Sequence, residues 1–177
     1  EEKYRVVDWA RVGSARSDDS ANERYLAGVL AHVDVDAIRR RAFTVVADPG
    51  NGAGCFTTPY LLRSLGCRVV TINAQADGAF PGRLPEPVAD HLGDLLRVMS
   101  EGHADLGVAH DGDADRAVFV DDKGNFLVGD KSLALLARHA IDGRGGTVVT
   151  PVSTSSIIED VVHAAGGRVV RTKVGSP

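Results

Sequence analysis

The segment Phe43-Thr44-Val45-Val46-Ala47-Asp48-Pro49-Gly50-Asn51-Gly52-Ala53-Gly54 constrains this chain more than any other. A β-favouring run without polar alternation predicts a strand covered on both faces. The cluster of proline, glycine and asparagine stops it. Tyr60, Leu61, Leu62 and Leu65 then carry a helix that Gly66 ends, and Arg68-Val69-Val70-Thr71-Ile72 restores strand character. Strand, small-residue loop, helix and strand in about thirty residues make one βαβ unit. Such a unit commits the chain to parallel pairing with a helix packed on the sheet.

The same alternation runs through the rest of the sequence. A helix starts near Asn22, with Tyr25, Leu26, Val29 and Leu30 in one apolar stripe, and a second short helix follows Asp36 as its cap. After an irregular stretch from Asn73 to Pro87 comes a helix over Ala89–Ser100, with Leu92, Leu95, Leu96 and Met99 on one side. Strands are expected at Ala104–Ala109, Ala117–Val120 and Phe126–Val128, then a helix over Lys131–Ala140. A strand at Thr147–Thr150, a helix over Ser155–Ala165 and a strand at Arg168–Thr172 complete the pattern. This is an α/β chain. Its 177 residues allow one large domain or two small ones.

Composition closes off several function classes. The net charge of −4 provides no basic field, so neither nucleic acid nor an anionic membrane is an expected partner. No run approaches the ~20 apolar residues of a membrane span. Aromatic residues are only 5%, so the core must rest on Val, Leu, Ile and Ala. Cys55 and Cys67 form no disulfide framework, which points to a reducing, cytoplasmic compartment. Both are expected in the core, Cys55 near a helix N-terminus that would lower its pKa.

The strongest chemical signal is Asp111-Gly112-Asp113-Ala114-Asp115-Arg116. Carboxylates at alternate positions of an extended loop point the same way. They repel one another unless a cation sits among them. An all-oxygen donor set selects Mg²⁺, Mn²⁺ or Ca²⁺ over zinc. A solvated hairpin turn is the competing reading, but the loop joins two apolar strands. It is no EF-hand, because Arg116 stands where that loop needs glycine and strands replace its helices. His110, beside the acidic loop, is a candidate to act behind the ligands.

Two further motifs are weaker. Pro49–Gly54 offers small residues before a helix, which would suit an anion, yet it lacks the Gly-Lys-Ser/Thr of a P-loop, and Cys55 replaces the third glycine of a dinucleotide fingerprint. A tight turn without ligand fits it equally well. In Phe80-Pro81-Gly82-Arg83-Leu84-Pro85-Glu86-Pro87, prolines and an Arg–Glu pair suggest a shaped loop near the site, although a plain surface loop is the simpler expectation.

Taken together, Val45–Gly54, Gly82–Pro87 and Ala104–Arg116 resemble the α-D-phosphohexomutase superfamily, in order and spacing. The resemblance implies a three-layer α/β/α domain with a mixed, mainly parallel sheet, followed by an incomplete second domain of the same type. It implies that Asp111, Asp113 and Asp115 are Mg²⁺ ligands, that Arg116 is the catalytic loop arginine, and that His110 and Lys173 lie near metal or substrate. It further implies that residues 1–17 are a tail from a missing first domain, 18–124 the second domain and 125–177 part of the third. Asp130-Lys131 and Thr172-Lys173-Val174-Gly175 resemble the opening of that third domain, while Ser176-Pro177 departs from the pattern. Family members shift a phosphoryl group between the 1- and 6-positions of a hexose, through a phosphoserine and a bisphosphorylated sugar. The serine loop (Ser-His-Asn-Pro type) and the sugar-reading loop (Gly-Glu-x-Ser-Gly-His type) do not occur in these 177 residues. The expected partners are therefore a phosphorylated hexose and the missing domains of the same polypeptide, and the 177-residue piece alone is expected to be inactive. A non-catalytic metal-binding or scaffolding module is the alternative, and a phosphatase with Asp111 as nucleophile is weakened by Asp115.

Overall fold

β-Branched and small residues build the centre of the first sheet. β1 (Thr44–Asp48) is buried from Val45 onward, as its unbroken apolar run demands. It pairs in parallel with β2 (Arg68–Thr71) on one side and with β3 (Leu106–His110) on the other. β4 (Ala117–Val120) and β5 (Phe126–Leu127) extend the sheet by antiparallel pairing. The strand order is β2-β1-β3-β4-β5, a mixed sheet. The computed structural model describes residues 6–175. Ser176 and Pro177, where the sequence leaves the family pattern, lie outside the described residues, as do residues 1–5 of the expected tail.

Helices cover both faces, giving three layers. α3 (Thr58–Ser64) sets Leu62 against Val45, Ala47 and Val108. α4 (Gly93–Glu101), with Leu92 just before it, packs Leu92, Leu95 and Met99 on Val46, Ala109 and Val120 of the other face. Leu95 and Met99 are fully buried, at the three-to-four spacing read in the sequence. From β1 the chain passes over one face to β2, then returns over the opposite face to β3. The carboxyl ends of β1 and β3 therefore lie side by side where the winding changes direction. Loops leave such a point in opposite directions and open a crevice.

Two details ahead of β1 differ from expectation. α1 (Ala21–Leu30) buries none of its residues, and Tyr25 of the expected stripe is exposed. α2 (Val35–Arg41) is capped by Asp34, whose carboxylate accepts from Ala37 N, and not by Asp36, which lies inside the first turn.

The second sheet is a parallel pair, β6 (Gly146–Pro151) and β7 (Gly167–Thr172). α5 (Gly129–Ile141) and α6 (Ile157–Ala164) cover one face through Ala134, Ala137, Ile141, Ile158 and Val162. β5 belongs to the first sheet by its pairing with β4. The first sheet thus continues through Leu127, beyond the boundary expected at residue 124. Hydrogen bonds to β4 place β5 in this sheet, and local composition does not register them. No helix of the described residues is long and apolar enough to cross a membrane.

Candidate metal centre

β3 ends at His110 and delivers Asp111, Asp113 and Asp115 into the crevice. One oxygen from each carboxylate lies within 4.8 Å of the others. Asp111 is buried, while Asp113 and Asp115 are exposed. A turn with Ala114 N donating to Asp111 O (3.3 Å), and Ala114 itself at φ 62°, brings the third carboxylate back to the first. That conformation costs an L-residue about 1–2 kcal/mol. The sequence expected convergence from alternation alone. The structure reaches it through a left-handed residue.

Arg116 braces the cluster. Its backbone N donates to Asp111 Oδ1 (3.0 Å) and its Nε to Asp111 Oδ2 (2.7 Å). Its Nη1 and Nη2 donate to Glu86 Oε1 (2.6 Å) and Oε2 (2.9 Å). Burial works against the Asp111 charge, but the backbone N–H and guanidinium of Arg116 outweigh it and hold the carboxyl below its usual range. Asp115 moves the other way, raised by its hydrogen bond with Asp111 and by repulsion from Asp113 and Asp111. The two shifts differ because Asp111 is tied to Arg116 while Asp115 faces its fellow carboxylates.

His110 lies behind the loop and does not join the three carboxylates. Its Nδ1 faces Arg116 O at 3.0 Å, and a carbonyl only accepts, so Nδ1 carries the proton. In the neutral ring, Nε2 then accepts from Thr58 Oγ1 at 2.9 Å, tying the loop's far end to the start of α3. Lys173 follows the end of β7 in the second sheet and makes no hydrogen bond or ion pair with the acidic loop among the described residues.

The glycine loop serves as a clasp. Four of its backbone donors are already used: Gly50 N on Asp48 Oδ1, Asn51 N on Asn73 O, Gly52 N on Pro49 O and Ala53 N on Gly112 O. Few N–H groups there are left for an anion, which favours the tight turn of the two readings. Gly52 is required by contact, because a Cβ there would overlap Gly112 O and lie 2.9 Å from Gly112 C. Gly52→Ala is expected to push the acidic loop outward and cost about 1–3 kcal/mol. Thermal melting and Mn²⁺ titration of the variant check this.

The proline-rich loop is part of the site, and its Arg and Glu do not pair with each other. Arg83 is buried against Asp48 at the end of β1, with Nε to Oδ2 at 2.9 Å and side-chain exposures of 5% and 1%. Its Nη2 donates to His110 O (2.6 Å) and Asp48 O (3.2 Å), and its Nη1 to Leu84 O (3.0 Å). One guanidinium thus ties β1, β3 and the loop together. The sequence reading missed this pair. Its available signal was Asp48, a carboxylate ending a doubly covered strand and needing a cation.

Cys55 is buried, as expected, but burial pushes its thiol up. It sits in a short 3₁₀ turn, Ala53–Phe56, not at the N-terminus of a longer helix. Cys67 is half-buried and likewise raised by burial.

Comparison with known proteins gives the chain's family. The model of phosphoglucomutase/phosphomannomutase α/β/α domain II matches residues 23–124, and that of domain III matches residues 128–177. The chain belongs to the phosphoglucomutase/phosphomannomutase family. It is 45% identical over 98% of its length to a phosphoglucomutase/phosphomannomutase of Thermococcus kodakarensis, covering 38% of that protein. It is 38% identical to a phosphoglucosamine/phosphogalactosamine mutase of Sulfurisphaera tokodaii, over 99% of the chain and 39% of the relative. Among solved structures, a family member from Burkholderia thailandensis matches with TM-score 0.79 and 26% identity, over 87% of this chain and 33% of that one. The chain thus spans about two fifths of the length of the curated relatives it matches.

Proposed function

We propose that this chain is the metal-holding part of a Mg²⁺-dependent phosphohexomutase, which interconverts hexose 1-phosphate and 6-phosphate through a phosphoserine and a bisphosphorylated sugar. In this reading residues 18–124 form the family's second domain, extended by β5, and the remainder begins its third. The observation that carries it is the set of three carboxylate oxygens within 4.8 Å at the crevice, with Arg116 beside them. The donor set fits Mg²⁺ in kind: all hard oxygen, with no sulfur or imidazole in the cluster.

Phosphoryl transfer needs charge neutralisation and in-line positioning more than covalent help from the protein. A bound Mg²⁺ would supply a Lewis acid for the oxygens of the transferring group. Arg116 adds a cation of fixed direction, suited to a phosphate by its fork of donors. The glycine clasp and the buried Arg83 hold the loop so that little reorganisation is needed. An open cleft of about 680 Å³, lined by Leu84, Glu86, His91, Asp111, Asp113 and Arg116, leaves room for a sugar phosphate.

The test is direct. The full-length gene product is assayed with glucose, mannose and glucosamine phosphates in Mg²⁺. Turnover of at least one, lost in EDTA and restored by Mg²⁺, is expected. No turnover of any of the three sinks the reading. The 177-residue segment alone, which has no serine loop, is expected to show none. Catalysis by it would overturn the assignment of the nucleophile to another domain.

A further inference from the structure

Glu86 meets Arg116 through both carboxylate oxygens, at 2.6 and 2.9 Å, while Arg116 Nε stays on Asp111. We propose that Glu86 is a positioning residue for the reaction: it fixes the direction of the Arg116 guanidinium beside the metal loop, and the buried Arg83–Asp48 pair aims Glu86. This inference rests on the mutase reading and deepens it.

Three observations carry it. First, the contact is bidentate and is closed by a third bond from Nε, so the planar guanidinium is held along two edges. Three of its five N–H donors are committed, and two are free for a ligand among the described residues. Second, the backbone around Glu86 is clamped. Arg83 Nη1 holds Leu84 O, and Glu86 O accepts from Val88 N (3.0 Å) and His91 Nδ1 (2.7 Å). Pro85 and Pro87 restrict the chain on either side. The carboxylate therefore starts from a nearly fixed point. Third, the pair is half exposed, at 55% and 49%. An exposed ion pair contributes little to stability. Its bidentate geometry at the mouth of the metal loop is better accounted for by orientation than by folding.

Without Glu86, the two outer nitrogens of Arg116 lose their fixed partner and only the Nε bond to Asp111 remains. Small displacements of a positioned group at a reacting centre cost one to two orders of magnitude in rate. Substrate can still be attracted by the cation, so ground-state binding survives. The expected signature is a fall in kcat with little change in KM.

The experiment is a double-mutant cycle on the full-length gene product with glucose 1-phosphate, or with whichever of the three sugar phosphates it turns over. E86Q is expected to lower kcat by about ten- to a hundredfold, with KM within about threefold. In an R116Q background, E86Q is expected to add less than about twofold, because its effect runs through Arg116. A second readout needs no turnover: in ¹⁵N-arginine spectra of the wild type, the Nε–H of Arg116 (identified by its loss in R116Q) should be rigid, and in E86Q mobile. Wild-type kcat in E86Q, a change in KM alone, losses that multiply in the double variant, or a mobile Arg116 in the wild type each overturns the role. An inactive wild type overturns the mutase reading and the role with it. An active wild type with multiplying losses overturns the role alone.

Discussion

Asp113→Asn is expected to abolish Mg²⁺-dependent stabilisation and to lower mutase kcat/KM by on the order of 10³-fold or more in the full-length protein. The substitution is nearly isosteric, and the Asp113 carboxylate makes no hydrogen bond among the described residues, so the fold loses nothing. What changes is charge. In the wild type, three carboxylates converge within 4.8 Å, and the raised Asp115 already reports their repulsion. Removing one relieves that repulsion without metal, so metal-free melting should stay level or rise. Magnesium acts in the opposite sense. At about 100 times its Kd it stabilises a binding protein by about 2.7 kcal/mol, and the variant should gain almost none of this. Thermal melts with and without Mg²⁺, set beside the sugar-phosphate assay, read both effects. A variant that keeps Mg²⁺-dependent stabilisation and turnover would remove Asp113 from the metal site. A wild type stabilised by Mg²⁺ but inert toward every phosphohexose would point to a scaffold.

The parts of this site that were legible in the sequence are those whose signal is local. β1 is an unbroken apolar run, α4 repeats its leucines at helical spacing, and the acidic loop carries its three ligand candidates within five residues. Such patterns follow from backbone periodicity, which requires no knowledge of the partner. What the sequence hid depends on closure. Arg83 was read with Glu86, its neighbour in the chain. Three-residue spacing brings side chains together on a helix, and this stretch is not one. In the folded protein Arg83 turns to Asp48 and Glu86 to Arg116, over separations of 35 and 30 residues. The glycine loop was open to two readings. Its composition suited an anion or a tight turn, and four of its N–H donors are taken within the protein, by Asp48, Asn73, Pro49 and Gly112. Cys55 shows the same limit. A nearby helix start suggested a lowered pKa, yet burial dominates and raises it.

Arg83→Met should be the most destabilising of these changes, by about 3–5 kcal/mol. Methionine fills much of the aliphatic volume, so the loss is electrostatic. Asp48 is 1% exposed, and without Arg83 it keeps only Gly50 N and Asn73 Nδ2 as donors. A buried carboxylate left without its cation accounts for most of the penalty. The carbonyls of Asp48, His110 and Leu84 lose their shared donor at the same time. Arg83→Lys should rescue little. A single ammonium cannot reproduce a planar fork that touches β1, β3 and its own loop. For a chain of this size the loss corresponds to roughly 6–20 °C in melting temperature. The decisive comparison adds Asp48→Asn. If the penalty lies in an uncompensated charge, the double variant, with a neutral amide in place of the carboxylate, should melt above Arg83→Met alone. A double variant at or below the single one would assign the loss to the three carbonyls instead. Because His110 O opens the acidic loop, the single variant should also bind Mn²⁺ more weakly, and titration at a temperature well below its melt separates that effect from unfolding.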